Sequence, residues 1–133
     1  MTRMLVVEDD PAWRALYRMT FESQFEVYEA SDGQHGLSLV EAVHPDVILL
    51  DLRMPRMDGA DFVRCLSGRG QVPPIVMCSG VLDPAETLPI PGVLRLASKS
   101  ADLRDVWSAL RDALPETRTA LLTESPDQDT WRD

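Results

Sequence analysis

Three short apolar runs, and a fourth interrupted by Arg95, punctuate the chain, and each leads into a polar group. Met4–Val7 runs into Glu8-Asp9-Asp10, Val47–Leu50 into Asp51, Ile75–Cys78 into Ser79-Gly80, and Val93–Ala97 stops just before Lys99. Unbroken apolar runs of this length suit strands covered on both faces, as in the middle of a parallel sheet. A fifth segment, Phe25–Ala30, alternates instead and fits a strand on the edge side. Between the runs the period changes to that of helices. After Asp10-Pro11, which read as N-cap and first helical residue, Ala12, Ala15, Leu16 and Met19 form one stripe, with Arg14 and Arg18 facing outward. Ser31-Asp32-Gly33 opens a helix with Leu37, Val40 and Val43 on one face, and Phe62, Val63 and Leu66 mark a third. Ser100 is expected to cap a last helix carrying Leu103, Val106, Trp107, Leu110 and Leu114. Between Asp83 and Gly92 three prolines leave space for one or two helical turns at most. Strands alternating with helices predict a doubly wound α/β sandwich with right-handed crossovers.

Composition narrows the class. At 133 residues, 44% of them hydrophobic, the chain can build one self-supporting core. A net charge of −9 without any basic cluster argues against a nucleic-acid surface. No apolar run approaches the roughly 20 residues of a membrane helix, and no charged lead into an apolar stretch marks a signal peptide, so a cytoplasmic location is expected. Cys65 and Cys78 sit in apolar patterns without metal-ligand spacing and read as reduced core thiols. Residues 115–133, acidic and with two prolines, read as a flexible tail following a domain of residues 1–114.

The strand ends carry the candidate chemistry. Glu8 and Asp9 come from the first, Asp51 from the third, Ser79 from the fourth and Lys99 from the fifth. In open α/β sheets the carboxyl ends of the central strands are where ligands bind. Carboxylates converging there repel, each pair at about 4 Å by on the order of 4 kcal/mol at an effective dielectric near 20. Protonation or a cation relieves this. A hard divalent ion such as Mg²⁺ takes oxygen ligands, and with a lysine nearby it neutralises a phosphoryl group. A carboxylate can then serve as phosphoryl acceptor. Lys99 is the only lysine in the chain; every other basic side chain of this kind is arginine. A compact ammonium and a planar guanidinium are not interchangeable at a crowded phosphate site.

Taken together, Leu5-Val-Val-Glu8-Asp9-Asp10-Pro11, Pro45-Asp-Val-Ile-Leu-Leu-Asp51-Leu-Arg-Met-Pro55-Arg-Met-Asp58-Gly59, Pro74-Ile-Val-Met-Cys-Ser79-Gly80 and Lys99 resemble the receiver domain of bacterial two-component response regulators, of the chemotaxis-type, stand-alone kind. The resemblance runs from residue 3 to about 114 and keeps motif order. It implies a flavodoxin-like, five-stranded parallel sheet of order 2-1-3-4-5 with helices on both faces. By position, Asp51 resembles the phosphoacceptor, Asp9 the direct Mg²⁺ ligand and Glu8 the ligand acting through water. The carbonyl of Arg53 resembles the backbone ligand, Ser79 the switch hydroxyl and Lys99 the cation paired with the phosphoryl group. The implied partners are a sensor histidine kinase or phosphotransfer protein and a downstream protein target, with the chain a monomer or weak dimer and no membrane or nucleic acid involved. Three departures fall on the usual output face. Ser100 follows Lys99 where the family has a proline after a cis bond, Leu96 stands where an aromatic ring rotates, and the fourth helix is curtailed.

Plainer roles compete at several of these positions. Asp10 reads as a helix cap, Asp58 as a turn residue, and His35 and His44 as solvent-facing. Two other functions stay open: a receiver-like adaptor that works without phosphate, and a phosphatase with an aspartate nucleophile. Against the phosphatase, Arg53 occupies the place of its second acid. Phosphorylation is expected to act on residues 80–92 more than on the side chain at 96.

Overall fold

A computed structural model describes residues 1–70, 72–80, 93, 95–99 and 102–114. Its strands are β1 (Thr2–Val7), β2 (Phe25–Ala30), β3 (Val47–Asp51), β4 (Ile75–Ser79) and β5 (Arg95–Ser98). All pair in parallel, in the order β2-β1-β3-β4-β5, as the resemblance implied. Four helices are described: α1 (Pro11–Phe21), α2 (Gly33–Val43), α3 (Gly59–Ser67) and α4 (Arg104–Ala113). Two expectations, the proline-broken segment 83–92 and the tail 115–133, lie outside the described residues, as does nearly all of the segment expected to respond to phosphorylation.

Strand alternation divides the interior in two. Met4, Val6, Val47, Leu49, Val76, Cys78 and Ala97 face one way, towards α1 and α4. Leu5, Val7, Ile48, Leu50, Ile75 and Met77 face the other, towards α2 and α3. This explains why the central strands show no polar alternation: both faces are covered. On the first side an aromatic series crosses from α1 to α4. Trp13 lies 5.9 Å from Tyr17, Tyr17 6.4 Å from Phe21, and Phe21 4.9 Å from Trp107.

Helix α1 turns a different face inward from the one expected. Tyr17 and Phe21 are buried, Trp13 and Leu16 partly so, while Ala12 and Ala15 are exposed and Met19 is 76% exposed. Two stripes one residue apart compete on this helix, and the one with aromatic bulk wins because it removes more apolar surface from water. Nor do Arg14 and Arg18 point freely outward. Arg18 pairs with Glu29 and donates to the Val27 carbonyl, and Arg14 donates to the carbonyls of Glu8 and Asp9.

Other boundaries are corrected by local bonding. Helix α4 begins at Arg104 behind Leu103, which has a left-handed backbone (φ 55°), so the expected cap at Ser100 does not start it. The carboxylate of Asp105 instead reaches back to β5, accepting from Ser98 N at 2.6 Å and from Ser98 Oγ at 3.1 Å. Strand β5 correspondingly runs from Arg95 to Ser98 rather than from Val93 to Ala97. Cys65 is exposed and only Cys78 is a core thiol, because Phe62, Val63 and Leu66 already fill the inward face of α3. Asp10 caps α1 and Asp58 caps α3, each through its side chain. Both histidines are exposed, His44 as the left-handed C-cap of α2.

The start of α3 packs directly against the end of β3. A Cβ on Gly59 would lie 2.8 Å from the Asp51 carbonyl oxygen and 3.0 Å from Leu52 Cα, both backbone atoms with little freedom to yield. Gly59→Ala is therefore expected to destabilise the fold by about 1–3 kcal/mol, the usual cost of overpacking. Urea denaturation checks this; an unchanged midpoint would show that the loop after β3 yields easily.

Candidate functional site

The strand register brings the candidate residues together. Val7 lies beside Leu50, Asp51 beside Cys78 and Ser79 beside Ser98, so the carboxyl ends of β1, β3, β4 and β5 are level. Alternation then continues past the core. Glu8 follows Val6 by two positions, Asp51 follows Leu49 and Lys99 follows Ala97, which puts all three on the α1–α4 side of the sheet.

There the lone lysine sits between two acids. Lys99 Nζ lies 3.2 Å from Asp51 Oδ1 and is also paired with Glu8 Oε1. All three side chains are nearly out of solvent, with Lys99 8%, Glu8 1% and Asp51 7% exposed. A buried carboxylate without a partner costs several kcal/mol, so a shared ammonium is what makes the pair tolerable. Asp9 is exposed and forms the open side of the group. Oxygen atoms of Glu8, Asp9 and Asp51 lie within 4.8 Å of one another, the arrangement expected of ligands to a hard cation. Arg14, donating to the carbonyls of Glu8 and Asp9 at 2.8 and 3.1 Å, fixes the turn that presents both acids.

The remaining candidates are nearby but play quieter parts. Ser79 is buried, and its carbonyl accepts from Lys99 N at 2.8 Å, tying the ends of β4 and β5. Arg53 lies two residues beyond Asp51 with its side chain exposed; its N–H approaches Asp51 Oδ1 at 3.4 Å. Leu96 is partly buried against the α2–α3 core. Trp13 and Arg14 were missed by the sequence reading, although an aromatic and an arginine in the first turn after paired acids were visible there. The Trp13 ring centroid lies 5.1 Å from Lys99 Nζ.

Electrostatics follow from the crowding. Burial, then the neighbouring Asp51 charge, pushes the Glu8 carboxyl up to about 7, although the Lys99 hydrogen bond pulls the other way. Asp51 is also raised by burial, against the pull of Lys99. For Lys99, burial favours the neutral amine, but the hydrogen bond and charge of Glu8 and then the charge of Asp51 outweigh it and hold the ammonium above its usual range.

A doubly wound parallel sheet with acids and a lysine gathered at its carboxyl end is the class of α/β domain that binds ligands at that end. Comparison with known proteins gives the family: the model of the response regulator receiver domain matches residues 4–111, and this chain belongs to that family. It is therefore a receiver domain of two-component signalling. Among curated relatives, the response regulator MprA of Mycolicibacterium vanbaalenii is 32% identical over 126 residues, 94% of this chain and 52% of that protein. A protein-glutamate methylesterase/protein-glutamine glutaminase of Koribacter versatilis is 41% identical over 78 residues, 56% of this chain and 22% of that protein. The chain thus spans only about a fifth to a half of these relatives. Among solved structures, the chemotaxis response regulator CheY4 of Vibrio cholerae superposes with a TM-score of 0.76 at 25% identity, covering 86% of this chain and 99% of that one.

The raised carboxyls have a measurable consequence. Because the folded protein holds a proton on Glu8 up to about 7 while the unfolded chain releases it near 4.5, the unfolded state binds fewer protons in between. Metal-free stability from this group is therefore expected to fall as pH rises from about 4.5 to about 7. Thermal melts of wild type and Glu8→Gln across that window check it: the wild type should lose stability more steeply than the variant. Parallel profiles would show that Glu8 is charged throughout.

Proposed function

We propose that residues 1–114 act as a receiver that takes a phosphoryl group onto Asp51 and signals through protein contacts. The observation that supports this most is the convergence of Glu8, Asp9, Asp51 and Lys99 at the level ends of β1, β3 and β5. The oxygen-only, carboxylate-rich donor set fits Mg²⁺, with Glu8, Asp9, Asp51 and the Arg53 carbonyl as the residues to hold it. Bound there, the ion would supply positive charge to the oxygens of an incoming phosphoryl group.

In this reading a carboxylate oxygen of Asp51 attacks phosphorus. The new O–P bond forms as the bond to the donor's histidine nitrogen breaks, and the electron pair leaves with that nitrogen. Lys99, already 3.2 Å from Asp51, stays as counter-charge to the acyl phosphate. Glu8 and Asp51, which now pair with Lys99, would share their oxygens between the ammonium and a divalent ion, with Lys99 retained beside them. The Ser79 hydroxyl, at the adjoining strand end, is the donor to a phosphoryl oxygen. Arg14 holds the Glu8–Asp9 turn in register throughout.

The partners proposed are a sensor histidine kinase or phosphotransfer protein and a downstream protein. The net charge of −9 favours proteins over nucleic acid as contacts. A cytoplasmic, monomeric or weakly dimeric protein goes with this reading, and among the described residues no helix is long and apolar enough to cross a membrane. No catalysis beyond its own phosphorylation and dephosphorylation is proposed. The methylesterase relative matches over only 22% of its length. The segment 115–133 is proposed to be a tail outside the receiver unit. For output, Leu96 offers no ring to rotate, so the signal is proposed to leave through backbone shifts at the ends of β4 and β5.

Incubation with acetyl phosphate and Mg²⁺ is expected to add one hydroxylamine-labile phosphoryl group by intact mass, and Asp51→Asn to abolish it while keeping the fold. Persistent modification of that variant would move the acceptor elsewhere.

A further inference from the structure

Lys99 has a third contact besides its two acids. Its Nζ lies 5.1 Å from the centroid of the Trp13 ring, inside the range in which an aromatic face attracts an ammonium. The attraction is strongest where water is excluded, and this lysine is only 8% exposed. Trp13 stands in the first turn of α1, the helix that covers the sheet face onto which Glu8, Asp51 and Lys99 project. The indole is itself braced: its ring meets Tyr17 at 5.9 Å, and the series continues through Phe21 to Trp107 on α4. The carboxylates and the ring differ in one respect. A divalent ion drawn to Glu8 and Asp51 weakens their hold on the ammonium and repels it, whereas the neutral ring keeps its attraction.

We propose that Trp13 is a positioning residue for Lys99, its indole face holding the ammonium over the pocket when a cation occupies the acids, so that Lys99 remains directed at the phosphoryl group on Asp51. This rests on Asp51 being the phosphoacceptor. An ordinary packing role would be filled by any bulky apolar side chain; a cation-holding role needs an aromatic face. Leucine supplies bulk without that face, and phenylalanine keeps a weaker one.

The test compares phosphorylation rates with acetyl phosphate over a range of Mg²⁺ concentrations for wild type, Trp13→Phe, Trp13→Leu and Asp51→Asn. Trp13→Leu is expected to lower the maximal rate about tenfold and, because the ammonium then has no alternative to the acids, to raise the half-saturating Mg²⁺ concentration severalfold, whereas Trp13→Phe is expected to stay within about threefold of wild type in both. A Trp13→Leu protein that is modified at the wild-type rate, or equal losses in both variants, overturns the proposal. Should the leucine variant not fold, wild-type protein gives the answer by proton NMR, since the only lysine has a uniquely assignable ε-methylene. Ring current should shift that signal upfield and keep it there after Mg²⁺ and a fluoroberyllate mimic of the phosphoryl group are added; its return to the ordinary position would overturn the proposal. A wild type that takes up no phosphoryl group would defeat the phosphoacceptor reading itself, whereas a modified wild type with an indifferent Trp13→Leu defeats this inference alone.

Discussion

Two buried carboxylates beside each other are the constraint around which this domain is arranged. Glu8 and Asp51 are both nearly solvent-free at the ends of adjacent strands, where mutual repulsion and lost hydration favour protonation or unfolding. One ammonium, from Lys99, lies between them. The remainder of the site supports that arrangement: Arg14 on the carbonyls of Glu8 and Asp9, Lys99 N on the Ser79 carbonyl, and Asp105 on Ser98. Each fixes backbone beside a charged side chain, so the charges meet without having to be found.

The cost of this arrangement is also its use. A pocket whose acids are held by an internal cation is poised between two counter-charges, one tethered and one from solution. Asp9, exposed at the mouth, is the acid of the group that faces solvent. A phosphoryl group on Asp51, as proposed, would add negative charge where a lysine already stands to meet it. In such a site small differences in affinity shift the balance, which suits a module that must be switched on and off.

Much of this was legible along the chain, because in a parallel sheet covered on both faces an apolar run ending in an acid marks a strand and its functional end together. Met4–Val7 before Glu8 and Val47–Leu50 before Asp51 are such cases. Pairings across the sheet were not legible. Lys99 and Glu8 are 91 residues apart, and only the register of four strands brings them into contact. The inward face of α1 was misread because two stripes differ by a single residue, and aromatic volume at Trp13, Tyr17 and Phe21 decides between them. The start of α4 was misread for a related reason. Ser100 looks like a cap in isolation, but the bond from Ser98 to Asp105, seven residues on, and the left-handed Leu103 set where the helix begins.

Lys99 and a divalent ion are proposed to share one set of carboxylates. Carbon-13 NMR of the side-chain carboxyls during titration with MgCl₂ tests it most directly, in wild type and in Lys99→Met. Glu8, Asp9 and Asp51 are expected to respond together with a single dissociation constant, and the variant, freed of its internal cation, to bind the ion more tightly. Carboxyls that respond at separate concentrations, or an affinity unaltered by Lys99→Met, would contradict it.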